Sequence, residues 1–250
     1  MNDFNRDYAR SIPADRADMS VDAGLRSFML GVYNKVALGL LLSAGLAFLT
    51  SAYTPVASQL YVLTPDGRLA GFTMLGTIIR FAPLAMLLVS MFAMRNPTSR
   101  SSGILYWALV ASIGAGAGVW LLAYTGASVA STFLITAIAF GGLSLVGYTT
   151  KKDLSGFGSF LIMGLIGLVL ASLVQMFLNL PGLSFIISIL GVFIFAGLIA
   201  YDTQRLKMTY YEMGGDRQSM AVATNYGALN LYLNFYNLFS FLLSLLGARR

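Results

Sequence analysis

Asp202 is the acidic residue whose position most needs a chemical explanation. It follows nineteen residues without a charge, Leu183–Tyr201, and Arg205 and Lys207 come shortly after it. An ionisable side chain on a membrane helix costs roughly 2.5–3.5 kcal/mol at the bilayer centre and less toward the edge. Two interpretations stay open at this point: an acid at the water boundary, paired with Arg205 or Lys207, or a functional site.

A row of amides marks the last apolar segment of the chain. Asn230, Asn234 and Asn237 are spaced i, i+4 and i+7, so a helix presents them on one face, with Tyr226 one turn earlier. Amides are costly against lipid because their donors and acceptors find no partner there. This face is therefore predicted to contact protein or water, either as hydrogen-bonding glue between helices or as the lining of a polar path. Arg95 ends another apolar run, where by itself it indicates a basic membrane anchor.

The composition of the chain indicates whether its surface faces mainly water or lipid. The chain is 57% hydrophobic and only 10% charged, whereas soluble domains average about 25% charged residues. The low charged fraction therefore predicts an integral membrane protein. The chain has no cysteine and no histidine, which excludes disulfides, the usual zinc sites, histidine-ligated haem and the commonest general base. No cofactor is predicted.

Charge-free runs predict an all-α membrane protein with seven transmembrane helices. A spanning helix needs about 20 apolar residues, and Asn179–Gly182 reads as a turn between the fifth and sixth spans. The predicted spans are Val36–Tyr53, Ile79–Met94, Gly103–Tyr124, Ala130–Tyr148, Phe157–Leu178, Leu183–Tyr201 and Ala223–Leu246. We divide the chain into a cytoplasmic N-terminal tail, residues 1–27, which is partly disordered, and a transmembrane domain, residues 28–250. Glycine runs at Gly114–Gly118 and Gly141–Gly142 favour close helix packing.

Basic residues predict the orientation. Twelve of the sixteen lysines and arginines fall on the side of the N-terminus, so the positive-inside rule places the N-terminus in the cytoplasm and the C-terminus outside the cytoplasmic (inner) membrane. The net charge of +6 lies at helix ends, where it meets the anionic surface of the lipid bilayer rather than nucleic acid.

Three segments resemble the transmembrane Bax inhibitor motif family: Phe195–Lys207, Leu229–Phe239 and the basic link Lys151–Leu154. The resemblance extends from Leu25 to the C-terminus. It implies a seven-helix fold whose last helix is enclosed by the other six, and a pH-sensitive calcium leak. In the family, the sensor is a pair of aspartates on helices six and seven, with an arginine from the end of helix two nearby.

This chain carries only part of that sensor. Asp202 and Arg95 match the first aspartate and the arginine, but Asn234 occupies the position of the second aspartate. Two carboxylates about 4 Å apart repel by roughly 4 kcal/mol at an effective dielectric of 20, enough to bring one proton into the physiological range. Asp202 with Asn234 lacks that repulsion. We therefore hypothesise that Asn234 imitates a permanently protonated partner and gives a latch with a weakened pH response.

The leading function is a passive leak for calcium or other cations, with Asp202 as gate and as a ligand of the passing ion. The alternative is a non-transporting regulator of a membrane-anchored ATP-dependent protease, a role to which bacterial members of the family have been linked. An enzyme is not expected. A histidine-based protease is impossible without histidine, and an aspartyl membrane protease needs two intramembrane aspartates where this chain supplies one.

Overall fold

The computed structural model describes residues 22–250 except for positions 67, 179, 181 and 215. Its elements are α1 (Ala23–Ala52), α2 (Thr54–Leu60), β1 (Tyr61–Leu63), β2 (Leu69–Phe72), α3 (Met74–Ala93), α4 (Ser99–Ala123), α5 (Gly126–Thr149), α6 (Ser155–Leu178), α7 (Leu183–Glu212) and α8 (Arg217–Leu246). In this described part, α1 and α3–α8 are the seven helices long and apolar enough to cross a membrane. The prediction of an all-α membrane protein with seven transmembrane helices is confirmed.

Short polar side chains fix where several helices begin. Asp22 accepts from the N–H groups of Gly24 and Leu25 at the start of α1, and Asp216 accepts from the N–H of Ser219 at the start of α8. These bonds satisfy amide groups that a first helical turn leaves without a partner. The charged caps thus define helix starts that runs of hydrophobic residues could not reveal.

All seven spanning helices are longer than their predicted spans, and α1 and α7 exceed them by the most. Helix α1 begins at Ala23, so residues 23–27 are helical although we assigned them to the tail, and α7 continues past Asp202 to Glu212. At 1.5 Å per residue, the 30 residues of α7 measure about 45 Å, against a hydrocarbon core of about 30 Å. Asp202 therefore lies inside a helix, not at its end. The predicted disorder of the tail concerns residues 1–21, which lie outside the described residues.

The last helix packs in the middle of the bundle. Its principal neighbours are α1, α4, α5 and α7, and it is the most buried of the seven spans. The amide-rich helix is thus an interior helix, as its sequence pattern predicts. Enclosure by α3 and α6 as well stays a prediction.

Some of the predicted glycine contacts are present. A Cβ on Gly114 would lie 2.6 Å from the Cα of Ser43, so α4 approaches α1 closely at that point. A Cβ on Gly147 would lie 2.1 Å from the carbonyl oxygen of Ala200, two residues before Asp202. Gly141 and Gly142, by contrast, have nothing within 4 Å of their Cβ positions, so the close packing predicted for this pair is wrong. The contact that positions α7 lies one and a half turns further along α5.

We expect Gly147→Ala to destabilise the protein by about 1–3 kcal/mol, because the new methyl group would overlap the backbone of α7. Gly142→Ala on the same helix is the matched control. There the methyl group meets no atom, and alanine favours the helix by roughly 0.5–1 kcal/mol over glycine. Thermal unfolding in detergent checks both, and equal melting temperatures for the two variants would contradict the close α5–α7 contact.

A short helix and a hairpin, unforeseen in the sequence, cover one end of the bundle. The strands β1 and β2 pair antiparallel, and Tyr61 is buried with its hydroxyl 3.4 Å from the carbonyl oxygen of Ala115. Ala57, Leu60 and Leu122 complete a small apolar cluster beneath it. The hairpin therefore closes the bundle at the end opposite Asp202.

Candidate functional site

Asp202 is joined to α8 by one direct hydrogen bond. The side-chain amide of Asn234 donates to Asp202 Oδ2 at 2.7 Å. Asn234 is buried and Asp202 is half-buried. A carboxylate that accepts from an amide in a partly dry site forms one of the stronger hydrogen bonds available to side chains. The pair fastens α7 to α8 at the depth where the charge-free part of α7 ends.

A small cavity of about 120 Å³ opens beside this pair. Its walls come from α7 and α8 and include Asp202, Arg205, Tyr226 and Asn230. At about 30 Å³ per molecule of liquid water, it holds roughly four waters. Asp202 therefore lines a small cavity of mixed polar and apolar walls and also bonds to Asn234. We call this cavity the Asp202 cavity.

The amide stripe of α8 divides into three environments. Asn230 is exposed and lines the Asp202 cavity with Tyr226. Asn234 bonds to Asp202. Asn237 instead donates to the carbonyl oxygen of Leu233 in its own helix at 2.8 Å. Asn234 thus acts as glue between helices and Asn230 lines a cavity, while a polar path along the stripe stays a prediction.

Arg95 is not brought to this site. It lies just beyond the end of α3 and is exposed, and within the described part of the chain it forms no ion pair with Asp202. The positive charge that acts on Asp202 belongs to Arg205, one turn further along α7. The membrane-anchor interpretation of Arg95 is the one that fits its position.

The part of α7 around Asp202 also forms hydrogen bonds with the link between α5 and α6. These contacts were not predicted from the sequence. Gln204 accepts from the N–H of Leu154 and donates to the carbonyl oxygen of Lys152, both at 2.8 Å. Lys207 is buried and donates to the carbonyl oxygen of Tyr148 at 2.6 Å, near the end of α5. The feature of the sequence that could have indicated these contacts is the run of closely spaced polar residues after Tyr201. Together they hold α7 in place while Asp202 faces α8.

A second polar junction, also missed, joins three helices. Lys35 of α1 donates to Asn225 Oδ1. The amide nitrogen of Asn225 in turn donates to Ser102 Oγ at 2.8 Å and to the carbonyl oxygen of Ser99 at 3.0 Å. Asn225 lies off the amide stripe, so its burial could not be inferred from the spacing. This junction fixes the first turns of α8 against α1 and α4.

A larger cavity, of about 300 Å³, lies toward the hairpin end. Arg80, Ser112, Trp120 and Tyr236 line it, and the Arg80 guanidinium stacks on the ring of Phe72 at 4.9 Å. Trp120 Nε1 donates to the hydroxyl of Tyr236 at 3.3 Å. We call it the Arg80 cavity. It puts a fixed positive charge at the end of the bundle opposite Asp202.

Acidic residues outside the spans are poor candidates for a pH sensor. Bonds from the N–H groups of Leu25 and Gly24 hold the pKa of Asp22 below its ordinary value. Bonds from the side chain and N–H of Ser219 do the same for the pKa of Asp216, and those from Ser155 for the pKa of Asp153. All three carboxylates therefore stay ionised throughout the physiological pH range.

Asp202 offers a cation one carboxylate. Within the described ranges, no three acidic side chains come together as a metal site would require. Calcium binds best to clusters of six to eight oxygens. The geometry suits brief contact with a passing cation better than tight retention of one.

Comparisons with known proteins cover nearly the whole chain. The family model described as "Inhibitor of apoptosis-promoting Bax1" matches residues 25–250. A protein of Caulobacter vibrioides is 67% identical over 250 residues, all of both chains. A protein of Rickettsia prowazekii is 40% identical over 98% of this chain and 99% of its own. The inner membrane protein YbhL of Escherichia coli K12 is 40% identical over 91% of this chain and 94% of its own.

Proposed function

The chain belongs to the family of inhibitors of apoptosis-promoting Bax1, and from that premise we propose that it is a pH-influenced cation leak of the cytoplasmic membrane. Calcium is the first ion to test. The observation that carries the proposal is the Asp202 cavity, whose wall includes a carboxylate that also bonds to Asn234 across the contact between α7 and α8. A carboxylate in the wall of a water-sized cavity attracts cations and repels anions.

The two cavities define the ends of the proposed path. Asn230 lines one and Tyr236 lines the other. The two residues are six positions apart on α8, about 9 Å along its axis at 1.5 Å per residue. Buried side chains fill that interval, among them Leu231, Tyr232 and Asn234. The described conformation is therefore closed, and conduction requires α7 and α8 to separate between the cavities.

Asp202 supplies the gate. While ionised, it accepts a charge-assisted bond from Asn234, of about 1.5–3 kcal/mol, whereas the bond between two neutral groups is worth about 0.5–1.5 kcal/mol. A proton or a cation on Asp202 thus weakens the contact by about 1 kcal/mol, roughly a fivefold shift in the open population. We therefore expect the response of the flux to pH to be shallow.

The proposed orientation places the Asp202 cavity on the cytoplasmic side. Seven spans put the two termini on opposite sides, and most lysines and arginines lie on the side that holds the N-terminus and the end of α7. The relative in Escherichia coli is an inner membrane protein by its name. On this orientation the Arg80 cavity faces outward.

Flux through reconstituted protein tests the proposal. Liposomes that each contain a trapped indicator dye for calcium, potassium or chloride, with and without protein, are compared across the pH range 5–8. We expect calcium and potassium to enter faster when protein is present, and chloride to be excluded. Liposomes that stay tight to every cation would contradict the leak. That outcome would favour the role of protease regulator. The charged N-terminal segment supports this role, since it could contact a partner protein.

We expect Arg80→Gln to increase calcium flux about fivefold. A divalent ion roughly 8 Å from a unit positive charge in water is repelled by about 1 kcal/mol, and Arg80 lines the outer cavity of the proposed path. Arg68→Gln, which removes an exposed charge from the hairpin, is the matched control and leaves flux unchanged. High salt should shrink the difference. Equal flux for both variants at low salt would remove the Arg80 cavity from the path.

A further inference from the structure

A crevice between α1 and α5 is a third concave feature, distinct from the Asp202 cavity and adjoining the Arg80 cavity at Trp120 and Tyr236. Its volume is about 400 Å³, within the range of roughly 300–1,000 Å³ typical of ligand sites. Residues from α1, α4, α5 and α8 line it. Phe48 and Phe133 form its rims and are 67% and 38% exposed, so it opens sideways between two helices toward lipid.

The chemistry of the walls selects an apolar occupant. The hydroxyls at its floor already have partners: Ser43 Oγ lies 2.7 Å from the hydroxyl of Tyr232, and the hydroxyl of Tyr236 accepts from Trp120. The rest of the lining is aliphatic, aromatic or glycine. A polar solute or an ion would find few free hydrogen-bond partners here, whereas a hydrocarbon chain has no hydrogen bonds to give up on entering.

Positive charge lies beside the end of the crevice at which α5 begins. Gly126, the first residue of α5, lines it. The chain end is tied beside that residue, because the N–H of Thr125 donates to the carbonyl oxygen of Ala248 at 3.0 Å and the N–H of Ala248 donates to Ser128 Oγ at 3.0 Å. Arg249 and Arg250 follow directly, and the Arg249 guanidinium lies over the ring of Tyr124.

We propose that this crevice binds one acyl chain of an anionic phospholipid whose headgroup phosphate is held by Arg249 and Arg250. Backbone bonds fix both arginines at the level where α5 begins, which is where a membrane-embedded chain meets its headgroup. The first amides of α5 add a partial positive charge at the same place. The site is separate from the Asp202 cavity, since its floor lies on the opposite face of α8 from Asn230, and it meets the Arg80 cavity only at the shared walls Trp120 and Tyr236.

Native mass spectrometry of the purified full chain tests the proposal, with phosphatidylglycerol and phosphatidylcholine of identical acyl chains as probes. We expect one phosphatidylglycerol to stay bound, and at least tenfold tighter than phosphatidylcholine, since each arginine contributes about fivefold at a membrane surface. Ala130→Trp fills the crevice and should lose both lipids. Ile138→Trp, on a lipid-exposed position of the same helix outside the crevice, should keep them.

The charge is tested separately with Arg249→Gln/Arg250→Gln, which should bind the two lipids equally. Arg100→Gln/Arg217→Gln, exposed at the other end of the bundle, keeps the preference at the same net charge. Size-exclusion profiles confirm folding, and Ala130→Leu, a smaller filler, should give a partial loss. Lipid retained by Ala130→Trp as well as by Ile138→Trp would overturn the site. Equal binding of both lipids by the parent would overturn the assignment of an anionic headgroup.

Discussion

Asp202→Asn is expected to lower calcium flux through reconstituted protein at least tenfold. The substitution removes the carboxylate that faces the Asp202 cavity and leaves the side chain nearly unchanged in shape. A unit charge 4 Å from a cation at an effective dielectric of 20 contributes about 4 kcal/mol, so the loss exceeds the 1.4 kcal/mol that a tenfold change in rate requires. The amide oxygen can still accept from Asn234, in a bond weaker by about 1 kcal/mol, and the roughly fivefold larger open population that follows does not offset the lost attraction for the cation.

The matched control is Asp216→Asn. This acid caps α8 at the same end of the bundle and is exposed, and asparagine caps helices as well as aspartate does. We expect its flux to equal that of the parent. Flux through Asp202→Asn that equals the flux of this control, with the same melting temperature, would return Asp202 to the role of an ordinary interfacial acid.

The number of spans was predictable because it depends on the number and length of the charge-free runs. The ends were not, because charge-free runs mark where lipid ends rather than where a helix ends. Asp202 shows the difference. The sequence predicts an acid at a helix terminus, but α7 continues to Glu212 since Thr203, Gln204 and Lys207 are buried against neighbouring elements. Because the helix continues beside neighbouring elements, the polar residues after Asp202 find hydrogen-bond partners that lipid could not provide.

Side-chain partners were predictable only where a repeat in the sequence indicated them. The spacing of the amides indicated a polar face on α8, and Asn234 does reach Asp202. Arg95 does not, because α3 ends before it and the side chain is exposed. The junction of Lys35 with Asn225 depends on residues 190 positions apart, for which no local pattern exists. Such contacts follow from the packing of whole helices.

Asn234→Asp is expected to give the protein a steep pH response that the parent lacks. The amide nitrogen lies 2.7 Å from Asp202 Oδ2, so the substitution places two carboxylates in direct contact. Their repulsion of roughly 4 kcal/mol is about four times the 1 kcal/mol available to the parent pair. One proton shared between them joins α7 to α8, and its loss drives the helices apart. Plotted against pH, calcium flux should be steeper for the variant than for the parent, with a midpoint nearer neutrality.

The stability of the Asn234→Asp variant should change with pH in a definite direction. The shared proton stabilises the folded variant at low pH, and that contribution is lost as pH rises through the range in which the proton leaves. The melting temperature of Asn234→Asp should therefore fall relative to the parent between acidic and alkaline buffer. Asn230→Asp, on the same face of α8 and lining the same cavity, adds an exposed carboxylate without direct contact to Asp202 and should keep the slope of the parent. Identical midpoints and slopes for Asn234→Asp and the parent would show that Asn234 is not the residue that weakens the pH response.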